Sequence, residues 1–192
     1  MKKISRAAFH LKKVKRGDKG GLLVSFDYEL GGNSEIDSVN VKDFESTVEP
    51  HPDLMTKIRS LNPMLAETHY FSLFRSIANE VPFKATAAQK KALEMAYQTI
   101  CEKIRPTGIA LSGEDKNRGV IITGRIQTAD GMSVGMNSQR IRLESQFYEF
   151  VPELENIIED LEEEVYLYLY ENKKSQLSLF DEDEQTETEE TK

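Results

Sequence analysis

The feature that most constrains the fold is an alternation of apolar and polar side chains over Leu22–Leu30, which lies between two glycine-rich turns. A period of two predicts a β-strand with one buried face, and the flanking glycines supply the positive φ of tight turns. Residues 3–14 and Glu35–Lys42, on either side of these turns, carry spaced apolar residues as well. We therefore predict an antiparallel, three-stranded meander over residues 3–42.

Helices are predicted to follow over residues 52–104. Pro52 stands where a first helical residue is favourable, and Pro63 marks the start of a second helix. Residues 86–89 have the spacing of a capping box, which predicts a third helix, and Pro106 is expected to stop it.

A second meander is predicted over residues 107–143. Its strands would be Thr107–Ser112, Gly119–Thr128 and Met132–Leu143, each rich in apolar residues or bounded by turn residues. Asp130 followed by glycine is the strongest hairpin signal in the chain and predicts a type I′ turn between the last two strands.

The C-terminal part begins with a predicted amphipathic helix over residues 152–171, with one apolar and one acidic face. Residues 165–170 also alternate like a strand, but the helical period runs into them unbroken. Residues 172–192 are predicted to be a flexible, acidic, disordered tail, because the last twelve of them are too poor in apolar residues to fold. The order predicts an α+β fold, with two antiparallel three-stranded meanders separated by helices in one domain over residues 1–171. The two halves share this coarse plan without evident sequence similarity, and whether they form an internal repeat is left open.

Length and composition restrict the class of protein. The chain of 192 residues has no apolar run of 18 residues, and its N-terminus lacks the apolar segment of a signal peptide, so no membrane association is expected. The single cysteine, Cys101, cannot form an internal disulfide and is predicted to be a small core residue. Together these features indicate a reducing cytosol.

Charge is distributed unevenly along a chain whose net charge is −8. Residues 1–19 hold eight basic residues and one acidic residue, whereas residues 152–192 hold fifteen acidic residues and three lysines. The basic cluster near the first turn is a predicted site for nucleic-acid phosphates, with Phe9 and His10 close by for stacking: Lys12, Lys13, Lys15, Arg16 and Lys19. The alternative is a solvated hairpin whose lysines protect a sheet edge.

Motifs for catalysis or cofactor binding are not recognisable. The three histidines, His10, His51 and His69, lack metal-ligand spacing, and no phosphate-binding glycine loop or activated nucleophile is visible. Asp27 and Glu29 are predicted to project from one face of their strand and are the best candidates for a Mg²⁺-dependent nuclease. We expect this face to be simply solvated, and therefore expect neither a metal, a cofactor nor an enzyme.

A pentapeptide near the C-terminus, Gln176-Leu177-Ser178-Leu179-Phe180, resembles the clamp-binding motif of bacterial replication and repair proteins. The consensus of that motif is Gln-Leu-(Ser/Asp)-Leu-Phe, and all five positions match; the resemblance covers only these residues. It implies docking on the bacterial DNA sliding clamp. Leu179 and Phe180 would be the main apolar anchors, Leu177 a third, and Gln176 would fix the register by hydrogen bonds. Two such anchors predict a Kd near ~1 μM, about −8 kcal/mol.

These observations predict a non-catalytic accessory factor of bacterial or bacteriophage DNA replication, recombination or repair, tethered to the clamp by its tail. Its body would contact DNA through the basic hairpin, with single-stranded DNA as one option. One alternative is a clamp inhibitor or hijacker without DNA binding, and another is a clamp-directed nuclease that uses Asp27 and Glu29. A third is an interaction protein whose tail docks on its own core. The basic and acidic ends could also pair between chains, so a homodimer is open.

Overall fold

A computed structural model describes residues 4–29, 38–68, 86–145, 148 and 150–173. Short 3-10 turns lie at Arg6–Ala8 and Asp115–Asn117. The regular elements are β1 (Phe9–Arg16), β2 (Leu22–Glu29), β3 (Ser38–Glu45), α1 (Pro52–Ser60), α2 (62–68), α3 (Ala87–Lys103), β4 (Ile104–Ser112), β5 (Gly119–Gln127), β6 (Ser133–Asn137), β7 (Ile141–Arg142) and α4 (Val151–Tyr170). No helix among these residues is long and apolar enough to cross a membrane.

The strands form one antiparallel sheet in the order β3-β2-β1-β4-β5-β6, and β7 pairs with β5. Helices together with an antiparallel sheet confirm the α+β class. The prediction of two separate three-stranded meanders is wrong, because β1 and β4 pair with each other and join them. Each meander on its own would leave the backbone N–H and C=O groups of that edge strand unpaired, and the pairing satisfies both edges.

The seam between the two meanders depends on a glycine. Gly108 in β4 lies opposite Lys15 in β1, and Val14 lies opposite Ile109. A Cβ built on Gly108 would lie 2.0 Å from the carbonyl oxygen of Val14 and 2.6 Å from the Cα of Lys15. Only a residue without a side chain allows the backbones to approach this closely.

The core lies between one face of the sheet and a layer that includes α1, α2 and α4. The fully buried strand residues include Phe9, Val14, Phe26, Ile109 and Ile122, and those of the helices include Leu54, Ile58, Leu65, Leu154 and Leu161. The alternation of the strands and the 3.6-residue period of the helices both direct apolar side chains to this layer. The opposite face of the sheet carries the polar members of each strand; we call it the outer face.

Residues 165–170 belong to α4, as the helical period predicted. Tyr166 and Tyr168 are both buried although they are two residues apart. Tyr166 donates a hydrogen bond to the carbonyl of Ile4 at 2.8 Å, and the hydroxyl of Tyr168 lies 2.6 Å from that of Ser46. Their polar ends therefore reach the backbone and loops on both sides of the helix, which explains the strand-like alternation of tyrosines.

Several boundaries differ from those predicted. β1 begins at Phe9, after a 3-10 turn, whereas the sequence predicted a strand from residue 3. β4 begins at Ile104, three residues before the predicted start, and contains Pro106 instead of being preceded by it. The register is irregular between Pro106 and Gly108, which is where a proline without an N–H can be accommodated in a strand. The rest of the second predicted helix, which was expected to end at residues 79–82, falls within residues 69–85, outside the described residues.

The hairpin after β5 occurs where it was predicted, but with another turn. Gly131 has a φ of +82°, and Asp130 is not among the residues with positive φ, so the turn is not type I′. The amide of Gly131 bonds to the carbonyl of Thr128 at 3.0 Å, and the amide of Thr128 bonds to the carbonyl of Met132 at 2.8 Å. This is the three-residue loop in which a type I turn is followed by a left-handed glycine.

The last predicted strand is divided into β6 and β7 by Ser138. The Oγ of Ser138 accepts a hydrogen bond from the amide of Ile122 at 2.9 Å, and its own amide donates to the carbonyl of Ile122 at 2.8 Å. The serine side chain thus replaces a backbone partner at the point where the chain changes direction.

Candidate nucleic-acid interface and tail attachment

Four of the five basic side chains predicted to contact DNA lie within ion-pair distance of a carboxylate. The nitrogen-to-oxygen distances are 3.2 Å for Lys12–Asp27, 2.7 Å for Lys13–Asp43, 3.8 Å for Arg16–Glu49 and 3.9 Å for Lys19–Glu45. Since all these groups are partly exposed, each pair contributes at most about 1 kcal/mol to stability. Their main effect is that β2, β3 and the following loop balance much of the hairpin's positive charge.

Asp43 holds Lys13 most closely. Its backbone is in the left-handed region, with a φ of 48°, which an aspartate tolerates better than most residues. The amide of Asp43 donates to the Oγ of Ser25 at 3.0 Å, and its carboxylate accepts from Lys13. The hydrogen bond from Lys13, with the nearby positive charge, lowers the pKa of Asp43. Lys13 is thus engaged within the first meander.

Lys15 differs from the other four basic residues. No ion pair of Lys15 occurs within the part of the chain that the structure describes. It lies at the seam, opposite Gly108, and borders the outer face of β4 and β5. Of the predicted DNA-contact residues, it is the one whose charge is directed toward the second meander.

Two arginines of the second meander face each other across the strands. Arg105 of β4 is directly opposite Arg125 of β5, and both are exposed. Arg125 lies 3.5 Å from a carboxylate oxygen of Asp18, whose side chain is 92% exposed, so this contact is loose. Arg105 has no carboxylate partner in the described ranges. We call Lys15, Arg105 and Arg125 the cationic cluster.

Beside the cluster, the outer face has a polar depression of about 560 Å³. Hydrogen-bonding side chains line it together with two members of the cluster: Lys15, Thr107, Thr123, Arg125, Ser133 and Asn137. The hydroxyls of Thr107 and Thr123 lie 3.3 Å apart, which places donors from β4 and β5 side by side. Hydroxyls, an amide and cations in this arrangement are suited to the oxygens of a phosphate group.

Sequence reasoning did not identify the two arginines, because they lie 90 and 110 positions after Lys15 in the chain. A usable signal was present nonetheless. The segments that form β4, β5 and β6 contain no Asp or Glu, in a chain with 33 acidic residues. A region that excludes acidic residues in such a chain indicates a surface where negative charge would be unfavourable.

Asp27 and Glu29, the candidate nuclease pair, have separate partners. Asp27 accepts a hydrogen bond from Asn40 and pairs with Lys12, while Glu29 lies 3.9 Å from Nε2 of His10. Across the described ranges, no three His, Cys, Asp or Glu residues are grouped so that they could hold a metal ion. Cys101, predicted to be a core residue, is only partly buried and packs against the edge of the core.

The described chain ends at Lys173, just after α4. The Nζ of Lys173 lies 2.9 Å from both carboxylate oxygens of Glu164 and 2.9 Å from Oδ2 of Asp53, at the start of α1. Hydrogen bonds to Glu164 and then to Asp53 raise the pKa of Lys173, and its own hydrogen bond lowers the pKa of Asp53. The clamp-binding pentapeptide at 176–180 and the predicted tail after Lys173 lie outside the described residues.

Comparison of the chain with protein-family models, with curated proteins and with solved structures gave no significant match.

Proposed function

We propose that this protein is a non-catalytic accessory factor of bacterial or bacteriophage DNA replication, recombination or repair. Gln176–Phe180 would tether it to the DNA sliding clamp, and its body would contact DNA. The observation that carries the proposal is the match of all five residues to the clamp-binding consensus. The motif starts three residues after Lys173, whose ammonium group pairs with Asp53 of α1 and Glu164 of α4.

That short distance restricts where the clamp would lie. Three residues span at most about 11 Å when fully extended. Gln176 would then be within that distance of Lys173, which bridges the start of α1 and the last turns of α4. The clamp would therefore bind beside this end of the body, and the body would be held close to the clamp instead of swinging on a long linker.

A clamp inhibitor without DNA binding is the second candidate. Two observations favour it: most of the basic hairpin is paired with carboxylates, and α4, which leads to the motif, has seven acidic residues and no basic ones. An acidic helix beside the clamp would repel DNA there and could hinder a polymerase. Inhibition of clamp-dependent primer extension by a chain that has no DNA affinity would support this candidate.

The first test measures binding of the full chain to a bacterial sliding clamp, for example by surface plasmon resonance. We expect a Kd near ~1 μM for the parent, because two apolar anchors predict about −8 kcal/mol. The Leu179→Ala/Phe180→Ala double variant and a chain truncated after Ser175 should lose at least ~100-fold in affinity, since each anchor contributes about 1.5–3 kcal/mol. Ser178→Ala is the matched control within the motif and should bind like the parent. A double-alanine variant that binds equally well would refute the proposal.

A further inference from the structure

We infer that the cationic cluster, Lys15, Arg105 and Arg125, binds the phosphate backbone of a DNA strand laid across the outer face of β4–β6. This deepens the DNA contact of the proposed function and rests on it for the identity of the polyanion. It also moves the expected contact surface from the hairpin as a whole to a surface that both meanders build.

The opposed positions of Arg105 and Arg125 favour an anion on this surface. Like charges directly opposite each other on neighbouring strands are destabilising. Arg105 and Arg125 occupy such positions on one face, and among the described residues the one carboxylate within ion-pair distance of either is that of the exposed Asp18, 3.5 Å from Arg125. An anion between the two guanidinium groups would relieve the repulsion, and phosphate is the anion that arginine binds in bidentate geometry.

Acidic residues are distributed unevenly between helix α4 and the strands β4, β5 and β6. The seven acidic residues of α4 lie in the helical layer, and the acid-free strands lie in the sheet. Carboxylates on the outer face accompany β2 and β3, where Asp27 and Asp43 are already paired with lysines. A polyanion would thus be repelled from the helical side and attracted to the half of the sheet that carries the cluster.

The side chains of β4, β5 and β6 are suited to phosphate and sugar more than to bases. β4, β5 and β6 contain no Phe, Tyr or Trp, so they offer no ring on which a base could stack. They offer instead the hydroxyls of Thr107, Thr123 and Ser133 around the polar depression, beside Gly135. Hydroxyls and cations contact phosphate and sugar, which position a strand but carry little sequence information. The binding should therefore be independent of sequence and sensitive to salt.

The test uses the full chain and a fluorescein-labelled oligo(dT) of about 20 nucleotides, with anisotropy measured at several salt concentrations. Each phosphate contact on single-stranded DNA contributes about 0.7 to the slope of log K against log salt. Removing two contacts by Arg105→Gln/Arg125→Gln should lower this slope by about 1.4, which corresponds to about 25-fold weaker binding at 0.1 M salt. Lys15→Gln should lower the slope by about 0.7.

The matched control is Arg59→Gln/Lys91→Gln, which removes the same charge from exposed positions on α1 and α3. It should bind DNA within about twofold of the parent, because Arg59 and Lys91 lie on helices and not on the strands of the outer face. The arginine double variant should keep or raise the melting temperature, since a like-charge pair is removed, so weaker binding cannot be attributed to misfolding. Unlabelled duplex DNA and inorganic pyrophosphate serve as competitors. Competition by duplex DNA supports the inference for both forms of DNA.

Equal loss of affinity in the control and the cluster variants would overturn the inference, as would a parent that binds pyrophosphate but no DNA. Clamp binding of the same variants is measured in parallel and should be unchanged. A parent chain that binds DNA but not the clamp would refute the proposed clamp tether and leave the inference about the cationic cluster intact. DNA binding that fails while clamp binding holds would favour the clamp-inhibitor candidate.

Discussion

Replacing Gly108 by alanine tests the seam that joins the two meanders. The new Cβ would lie 2.0 Å from the Val14 carbonyl oxygen and 2.6 Å from the Cα of Lys15, and both of these atoms belong to the backbone of β1. Ordinary carbon-to-oxygen contacts between strands are about 3.3–3.6 Å, so β1 would have to move away by more than about 1 Å. The ladder between Lys13–Lys15 and Gly108–Ala110 is short, and such a movement would weaken its hydrogen bonds.

The expected loss combines three terms. Overpacking of a closely fitted site costs about 1–3 kcal/mol, and each weakened hydrogen bond costs about 0.5–1.5 kcal/mol. Alanine restricts the unfolded chain and returns about 0.4–1 kcal/mol. With two bonds weakened, Gly108→Ala should lower the free energy of unfolding by about 2–4 kcal/mol. For a chain of this length that corresponds to a melting temperature lower by about 5–15 °C.

Urea and thermal unfolding followed by circular dichroism measure this change. Gly135→Ala is the matched control, because Gly135 lies on β6 of the same sheet without a positive φ, and no atom outside its chain neighbours lies within 4 Å of the position that its Cβ would take. It should stay within about 0.5 kcal/mol of the parent. If Gly108→Ala also stays within that limit, the two meanders do not meet at Gly108 as described, and the reasoning fails.

Three further predictions concern hydroxyl groups in the core and its margins. Tyr168→Phe removes the hydroxyl that bonds to the Val48 carbonyl and should lower the free energy of unfolding by about 1–2 kcal/mol in urea titrations; an unchanged midpoint would contradict it. Ser138→Ala leaves the Ile122 amide without its side-chain acceptor and should cost about 1–3 kcal/mol, with faster amide exchange at Ile122 as the specific signature. Burial raises the pKa of Tyr170 to about 12, so the stability that depends on its neutral form is present below pH 10 and is lost as pH rises from 10 toward 12. Tyr170→Phe should therefore unfold like the parent at pH 7 and be more stable than the parent at pH 11, whereas equal alkaline losses in both would refute the assignment.

Local pattern predicted much of the secondary structure. The alternation over residues 22–30 corresponds to β2, and α1 begins at Pro52, as predicted. Residues 165–170 are helical because the apolar period of α4 continues through them. These elements are predictable because each has one face that must be buried, and the period of that face is written in neighbouring residues.

The pairing between strands could not be predicted in the same way. β1 and β4 are separated by almost ninety residues, and nothing in either segment specifies the other as its partner. The break at Ser138 in the last predicted strand, and the position of Pro106 inside β4, were not predicted either. Both depend on backbone groups of a different strand. Long-range pairing is decided by which unpaired edges and apolar faces fit together once the chain is compact.

The candidate sites divide along the same line. The clamp-binding motif is a prediction of the sequence alone, because a linear segment carries its own anchors in five consecutive residues. The cationic cluster depends on the tertiary structure, since Arg105 and Arg125 meet across the β4–β5 pair and Lys15 joins them only when the two meanders share one sheet. The sequence by itself determined the α+β class, most strands and helices, and the uneven distribution of charge. The tertiary structure decided that one sheet forms instead of two, and which of the basic residues are balanced by carboxylates, because both depend on contacts between distant segments.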